Sequence, residues 1–322
     1  MLYLHVGLPK TGSTFLQDEL FPVLPQVNYV GRPDYNLLER RNAYDKTTLS
    51  RFFDRSPCVW SGHGDDLLEN LQTEDEFNAD KKQLISDENA LTGGINDPYR
   101  IGEHIKRISI LTEKRSLSPL KVLIVIRRQD TWFASAYAET SYRYVGASQP
   151  HWESWIDERL SKSHSYYAGP AVKLKYNTLY SEIEKNIGQS NICMLPYEML
   201  KRNQHEFYEN ILEFFGVKSN KNNFIKEIEK SKKKNVSKIS DNSWSLGEAS
   251  SWRSKEVVFR PGRLFSSLNL PRGVCLWYDD NKRDDKIELT DQISSRIKKE
   301  YSDENARIDN RLSVNLKKYG YY

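Results

Sequence analysis

Long apolar runs and cysteines are both scarce in this sequence. No apolar stretch approaches the roughly 18 residues that a membrane-spanning helix needs, and the first residues lack the basic-then-apolar pattern of a secretion signal. The three cysteines, Cys58, Cys193 and Cys275, lie far apart and form no Cys-x-x-Cys pair. This spacing argues against a disulfide framework and a zinc knuckle. We therefore expect a cytoplasmic protein without a transmembrane segment and without a bound metal.

Excess charge is small as well. The 322 residues include 48 lysines and arginines against 44 aspartates and glutamates, which leaves a net charge of +4. A dispersed excess of this size argues against a nucleic-acid partner, although it suits a small anionic ligand. Aromatic residues make up 12% of the chain, so the protein has the material for a substantial apolar core.

Short apolar segments alternate with amphipathic ones along the chain. The strongest predicted strand covers residues 121–126, which are continuously apolar, as in a parallel strand covered on both faces. Further strands are predicted at 2–6, 27–30, 58–60, 83–86 and 192–195, and helices at 14–20, 98–117, 131–144, 152–160, 178–187, 206–215 and 291–316. This alternation predicts an α/β fold in which helices flank a parallel β-sheet. Residues 239–280 give no clear pattern.

A glycine-containing loop, residues 7–14 with the sequence GLPKTGST, separates the first strand from the first helix. Backbone N–H groups in such a turn favour a bound phosphate. Gly7 and Gly12 fit the spacing of a Walker A loop, but Ser13 stands where that pattern requires lysine. The loop's only lysine, Lys10, comes three residues earlier. We therefore predict a P-loop-type sheet whose lysine reaches a group nearer the 5′ end of a nucleotide.

Residues 8–16, LPKTGSTFL, resemble the 5′-phosphosulfate loop of the sulfotransferases that use 3′-phosphoadenosine 5′-phosphosulfate (PAPS). The resemblance implies a sulfotransferase fold and implies that Lys10 contacts the bridging oxygen of the leaving phosphate. It also implies that the next four residues bind the 5′-phosphate through N–H and hydroxyl donors. These residues are Thr11, Gly12, Ser13 and Thr14.

A second match to this family follows the strand at 121–126. The family places an arginine at a strand end and a serine eight residues later, and both bind the 3′-phosphate. Arg127 and Ser135 fit this frame. A guanidinium offers bidentate geometry to a phosphate dianion, and a helix hydroxyl completes its coordination. Because Arg128 follows directly where many relatives have asparagine, the sequence leaves open whether Arg127 or Arg128 is the ligand.

A third match is the pair Tyr197-Glu198 after the strand at 192–195, with a following helix that ends in FFGV at 214–217. In some relatives this tyrosine lies against the adenine, so Tyr197 is a candidate for stacking there. Simple packing of Tyr197 is the alternative. The matched segments span residues 2–217. We predict one sulfotransferase domain over 1–322, in which residues 218–322 form a C-terminal helical region.

Transfer to a hydroxyl needs a base, and two segments offer one. Ser86-Asp87-Glu88 follows a predicted strand, which places it at the ligand-binding edge of the sheet, and it resembles the Ser-x-Glu element of carbohydrate sulfotransferases. Glu88 is therefore our first candidate. Some family members use histidine, and His63 follows another short apolar run. The sequence leaves open Glu88, His63 or neither.

Together these features predict a bacterial, cytoplasmic enzyme that transfers the sulfuryl group of PAPS to an acceptor hydroxyl and releases adenosine 3′,5′-bisphosphate. The Ser-x-Glu element favours a saccharide or glycoconjugate acceptor. One alternative is an atypical P-loop nucleotide kinase or NTPase, but the strand at 121–126 ends in arginines where a Walker B strand ends in aspartate. The other alternative is a nucleotide-binding protein without catalysis.

Overall fold

The structure of the protein is a computed structural model. It describes residues 1–31, 82–86, 98–114, 116–144, 146–161, 174–217, 224–226, 228, 242–247, 257–259, 274–276 and 284–322.

A five-stranded parallel sheet forms the centre of the molecule. Its order is β2-β3-β1-β4-β5, and every pairing between neighbours is parallel. The strands are β1 (Leu2–Gly7), β2 (Val27–Gly31), β3 (Lys82–Ser86), β4 (Leu120–Ile126) and β5 (Ile192–Pro196). The predicted α/β fold with a parallel sheet is therefore confirmed. The strand predicted at 58–60 lies outside the described residues.

The register of the sheet brings the carboxyl ends of four strands to one edge. β1 lies between β3 and β4, with Leu2 opposite both Gln83 and Leu120, and β5 flanks β4. Because all four strands run in the same direction, the residues after Gly7, Ile126 and Pro196 meet at the carboxyl edge, where Ser86 also ends β3. The sheet order therefore assembles segments that are far apart in the sequence.

Helices cover the sheet. They are α1 (Ser13–Phe15), α2 (Pro98–Lys114), α3 (Gln129–Thr140), α4 (Gln149–Ser161), α5 (Tyr176–Ile187), α6 (Tyr197–Arg202), α7 (Gln204–Phe214) and α8 (Asp291–Asp309). The helix predicted at 14–20 starts at Ser13, but it widens into a π-helical turn over Leu16–Leu20 and ends in a 3-10 turn over Phe21–Val23. No helix in the described parts of the chain has the length and apolar character to cross a membrane.

The core consists of the two sheet faces and the apolar sides of the helices. Val122, Leu123 and Ile126 of β4 are buried, as expected for a strand covered on both faces. α2 presents apolar residues at helical spacing, including Ile101 and Ile105, and packs against α5. Burial of these side chains supplies most of the driving force for folding.

Beyond residue 217 the described residues include strands as well as the predicted helix. α8 packs against α3 and α5 through Ile293, Ile297, Tyr301 and Ile308, and it ends at Asp309, earlier than the predicted limit of 316. The four short strands are β6 (Ser243–Ser245), β7 (Val257–Phe259), β8 (Val274–Leu276) and β9 (Lys286–Glu288). β6 pairs with β9 and β7 with β8, both antiparallel.

Candidate active site

Two loops at the carboxyl edge of the sheet are joined by direct hydrogen bonds. The Arg127 guanidinium, just after β4, donates from Nη1 to the backbone carbonyl oxygen of Lys10 at 2.8 Å. The indole N–H of Trp132, on α3, donates to the carbonyl oxygen of Pro9 at 2.8 Å. The loop after β1 is therefore fixed by two donors from the β4–α3 segment, and the two segments with predicted anion-binding residues form one site.

The loop after β1 takes left-handed backbone conformations at two positions. Lys10 has φ of 68° and Gly12 has φ of 87°. A left-handed lysine is strained, and such strain commonly persists at functional sites. The Thr11 hydroxyl stabilises the turn by donating to the Leu8 carbonyl at 2.6 Å. The Ser13 hydroxyl is buried and has no hydrogen-bond partner in the described structure. Buried hydroxyls usually have a partner, so Ser13 is available to bind a ligand. Of the four predicted loop donors only Thr14 is exposed.

Arg127 is a buried cation without a carboxylate at ion-pair distance among the described residues. Its side chain is 7% exposed, and its Nε donates to the Thr131 hydroxyl at 3.2 Å. The hydroxyl of Tyr176 donates to its backbone carbonyl at 2.6 Å. Burial lowers the pKa of Arg127, although the nearby Glu198 carboxylate opposes this shift.

Arg128 differs from Arg127 because its charge is already neutralised. Its Nε and Nη2 form a bidentate pair with the buried Asp130 carboxylate at 3.0 and 2.6 Å. Ser294 of α8 donates to the same carboxylate at 2.6 Å. Burial lowers the pKa of Arg128, but its hydrogen bonds to Asp130 and attraction from that carboxylate outweigh this effect and raise it. Arg128 is therefore paired with a carboxylate, and Arg127 is not paired with one among the described residues.

A second buried carboxylate, Glu198, lies behind the two arginines. It accepts a hydrogen bond from the backbone N–H of Arg128 at 3.1 Å and another from the Tyr321 hydroxyl at 2.9 Å. Burial raises the pKa of Glu198, and these donors partly offset the shift. Glu198 thus stabilises the positive charge of Arg127 by electrostatic attraction without forming an ion pair with it.

Tyr197 packs between the loop and the arginine. A β-carbon added at Gly12 would lie 3.0 Å from Cε2 of Tyr197, so the ring is in close contact with the loop glycine. The Arg127 guanidinium lies 5.2 Å from the ring centroid and the Lys201 amine lies 5.3 Å from it. Both are cation–π distances. The predicted contact of Tyr197 with adenine stays a prediction.

The Lys10 amine forms an ion pair with Glu139 near the end of α3, at 2.6 Å. Both side chains are substantially exposed, at 36% and 48%. Ser135 lies one helical turn before Glu139 and therefore on the same face of α3. The Ser135 side chain is half-buried. The predicted serine thus lies on the same helix face as the exposed carboxylate that pairs with the predicted lysine.

Comparison with known proteins identifies the family. The model of the sulfotransferase domain matches residues 3–266. The chain belongs to the sulfotransferase family. The sulfotransferase structure from Alicyclobacillus acidocaldarius aligns with a TM-score of 0.53 at 11% identity, over 98% of this chain and 97% of that one. No curated protein sequence matches.

Two other sulfotransferase structures align less closely. Mouse sulfotransferase SULT7A1 complexed with PAP has a TM-score of 0.40 and 13% identity, over 74% of this chain and 68% of that one. The sulfotransferase domain of the curacin biosynthetic pathway has a TM-score of 0.38 and 10% identity, over 95% and 96%.

Both predicted bases of this sulfotransferase, Glu88 and His63, lie outside the described residues. Ser86, the last residue of β3, is described and buried at the carboxyl edge of the sheet. The described parts of the chain contain no group of three or more His, Cys, Asp or Glu side chains arranged to hold a metal ion.

The sequence alone did not identify three residues of the candidate site of this sulfotransferase. Glu139 had a usable signal, because it lies four residues after Ser135 and therefore on the same helix face. Glu198 had a partial signal as the neighbour of Tyr197. Tyr176, whose hydroxyl donates to the Arg127 carbonyl, had none, because it begins a different helix, α5, and only the folded chain brings it to β4.

Proposed function

We propose that this sulfotransferase transfers the sulfuryl group of PAPS to a hydroxyl of a saccharide or glycoconjugate. The observation that carries the proposal is the hydrogen bond from Arg127 to the Lys10 carbonyl. It joins the predicted ligand of the 3′-phosphate to the predicted 5′-phosphosulfate loop within one site. One adenosine that is phosphorylated at both ends then spans both.

The residues present fit such a nucleotide. Arg127 is buried and has no carboxylate at ion-pair distance among the described residues, so its charge is available to a phosphate dianion. Arg128 is paired with Asp130 and is therefore the weaker candidate. At the other end of the site, the buried Ser13 hydroxyl has no hydrogen-bond partner among the described residues, and an oxygen of the 5′-phosphate would supply one. Ser135 is the second predicted ligand of the 3′-phosphate.

PAPS, when bound, supplies an activated sulfuryl group. The side chains of the protein then have three tasks, and charge stabilisation by fixed donors is the largest contribution that such a site makes. The Lys10 amine leaves Glu139 and stabilises the negative charge that develops on the bridging oxygen as the S–O bond to phosphate breaks. Glu88 accepts the proton of the acceptor hydroxyl as the oxygen of that hydroxyl forms the new bond to sulfur. Arg127 and Ser13 hold the departing adenosine 3′,5′-bisphosphate in place.

The saccharide acceptor rests on the resemblance of Ser86-Asp87-Glu88 to the Ser-x-Glu element of carbohydrate sulfotransferases. The mouse relative was solved with PAP, and we extend that ligand class to this chain as part of the proposal. The cytoplasmic location and the bacterial origin expected from the sequence stay predictions.

The decisive experiment measures nucleotide binding and transfer separately. Thermal stabilisation by adenosine 3′,5′-bisphosphate is compared with that by ATP and by adenosine 5′-monophosphate, because a ligand of the folded state raises its stability. We expect the bisphosphate to stabilise the protein most. Stabilisation by ATP in preference to the bisphosphate would favour the kinase alternative and contradict the proposal.

Transfer is then measured with radiolabelled PAPS and panels of saccharide, lipid and phenolic acceptors. We expect label in a saccharide product, and we expect Glu88→Gln to abolish it while binding of the bisphosphate is kept. Asp87→Asn is the matched control that removes a neighbouring carboxylate. Binding without transfer to any acceptor would favour a binding protein, and unchanged transfer by Glu88→Gln would remove Glu88 from the mechanism.

A further inference from the structure

His5 is a fully buried polar residue directly beneath the proposed site. It lies in β1 opposite Ser86 of β3, its exposure is 0%, and its ring packs against Phe21 at 5.2 Å between centroids. Its Nδ1 lies 2.7 Å from the Ser86 hydroxyl oxygen. Ser86 is also the first residue of the Ser86-Asp87-Glu88 element.

The hydrogen bonds around Ser86 favour one tautomer of the His5 ring. The Gln17 side-chain amide donates to the Ser86 hydroxyl oxygen at 2.9 Å. The hydroxyl hydrogen of Ser86 then has one described acceptor, Nδ1 of His5. Burial lowers the pKa of His5 to about 3, so the ring is neutral and carries one proton. We assign that proton to Nε2, so that Nδ1 accepts the hydroxyl hydrogen of Ser86.

The Nε2–H of His5 points toward the loop and has no partner in the described structure. It lies 3.6 Å from the position that a β-carbon on Gly7 would take, and the hydroxyl oxygens of Thr11 and Ser13 lie 3.2 and 3.4 Å from the same position. The Thr11 hydroxyl hydrogen is already donated to Leu8. Ser13, like His5 Nε2, is buried and unpartnered. A buried donor and a buried hydroxyl therefore converge under the loop without being satisfied.

We propose that His5 is a positioning residue for sulfuryl transfer, which connects the Ser86 hydroxyl to the Ser13 hydroxyl of the loop. This inference rests on the proposed function. In the nucleotide complex the ε N–H of His5 donates to the Ser13 oxygen, directly or through one buried water. The hydrogen of Ser13 is then directed toward the 5′-phosphate. Through its other nitrogen, the same ring holds Ser86 at the start of the segment that contains Glu88.

Two substitutions of His5 separate the contributions of its ring nitrogens Nδ1 and Nε2. The amide of His5→Asn takes the place of Nδ1 and cannot reach the place of Nε2, whereas the amide of His5→Gln reaches the place of Nε2. For His5→Asn we expect the Kd for adenosine 3′,5′-bisphosphate to rise about tenfold, the effect of one lost hydrogen bond in an ion-binding site. Its kcat at saturating PAPS should stay within about twofold of the wild type. For His5→Gln we expect the reverse: a kept Kd and a kcat that is about tenfold lower.

If the two variants lose affinity and kcat in the same proportion, His5 only packs the core and the proposal is overturned. Variants that leave His5 in place guard against misfolding. Ser86→Ala should lower kcat without changing the Kd, and Ser13→Ala should raise the Kd. The double variant His5→Asn with Ser13→Ala should bind no more weakly than Ser13→Ala alone, because His5 acts through Ser13. Additive losses of affinity would contradict this coupling.

The wild type separates failure of this inference from failure of the proposed function. A wild-type protein that binds no adenosine 3′,5′-bisphosphate overturns the proposed function and this inference with it. A wild type that binds the bisphosphate and transfers label, with His5→Asn and His5→Gln both unchanged, overturns only the role of His5.

Discussion

The two cations of the candidate site, Lys10 and Arg127, have opposite surroundings, although the Arg127 guanidinium donates a hydrogen bond to the Lys10 backbone carbonyl. Lys10 extends an amine that is about one third exposed and is paired with an exposed carboxylate, Glu139. Arg127 is 7% exposed, has no such partner among the described residues, and is held by carbonyl, hydroxyl and ring contacts. The cation at the loop end of the site, Lys10, thus has a partner that a ligand can replace. The cation at the β4 end, Arg127, is held in a fixed position.

The two surroundings suit the two cations to different tasks. An exposed ion pair contributes little free energy, so an exposed lysine exchanges one anionic partner for another at small cost. A buried arginine has already lost its hydration on folding. The unfavourable free energy of removing that water therefore does not oppose the binding of a phosphate. Lys10 is therefore suited to charge that develops during transfer, and Arg127 is suited to a phosphate whose charge does not change.

The largest expected effect comes from Lys10. We expect Lys10→Ala to lower kcat about 1000-fold, the loss found when one donor to a developing negative charge is removed, and to change the Kd for adenosine 3′,5′-bisphosphate much less. Single-turnover transfer and calorimetry measure the two quantities. Lys10→Gly is the matched variant: it should be equally inactive but more stable to heat than Lys10→Ala, because glycine accepts φ of 68° without strain. A large loss of affinity with kcat kept would contradict the division of tasks.

The next effect concerns the fixed cation. We expect Arg127→Lys to raise the Kd for adenosine 3′,5′-bisphosphate about 100-fold, because an ammonium lacks the planar fork that binds phosphate and the Lys10 carbonyl at once. The kcat at saturating PAPS should fall far less. Arg128→Lys is the control, since Arg128 is paired with Asp130. It should lower thermal stability and leave the Kd nearly unchanged. The opposite pattern would assign the 3′-phosphate to Arg128.

The sequence alone predicts the loop end of the site better than the β4 end. The loop has a local signature, with Lys10, Gly12 and Ser13 within four residues between a strand and a helix. The continuous apolar strand at 121–126 likewise predicts a buried parallel strand, and the structure has it as β4. Local patterns are sufficient there because neighbouring residues determine both the turn and the strand.

The choice between Arg127 and Arg128 needed the fold. It depends on Asp130, which binds one arginine, and on Ser294 and Tyr321, whose contacts span more than 120 positions of sequence. The π-helical turn at Leu16–Leu20 was also unpredictable, because the sequence there has the pattern of an ordinary α-helix. Burial and pairing, which set the roles of the two arginines, are properties of the folded chain.

A buried group at each end of the site should make the free energy of unfolding depend on pH, and the two contributions should have opposite directions. The pKa of His5, beneath the loop, is lowered to about 3 by burial. Below its ordinary value of 6.5 the unfolded chain binds a proton that the folded chain does not. The free energy of unfolding should therefore fall by about 1.4 kcal/mol for each pH unit below 6.5 on this account. Denaturant unfolding from pH 7 to pH 5 should show this loss in the wild type and a smaller one in His5→Asn.

Glu198, at the β4 end, supplies the counterpart of this test. Burial raises its pKa, so the folded chain keeps a proton that the unfolded chain has released, and stability falls as the pH rises above the ordinary carboxyl value. Glu198→Gln should reduce that decrease and leave the acidic side unchanged. Equal pH profiles for the wild type and both variants would show that the two buried groups do not contribute to the pH dependence of folding.

The smallest expected effect concerns the partner of Lys10. If Lys10 must leave Glu139 to reach the nucleotide, then Glu139→Gln should lower the Kd for adenosine 3′,5′-bisphosphate by about two- to fivefold, the range that an exposed ion pair provides. The gain should decrease in high salt, because salt screens the pair that it removes. Calorimetry at two salt concentrations measures both. Glu300→Gln removes the same charge from α8 and serves as the control. An equal gain in that variant would assign the effect to net charge, and no gain in Glu139→Gln would show that Lys10 binds the nucleotide without giving up its carboxylate.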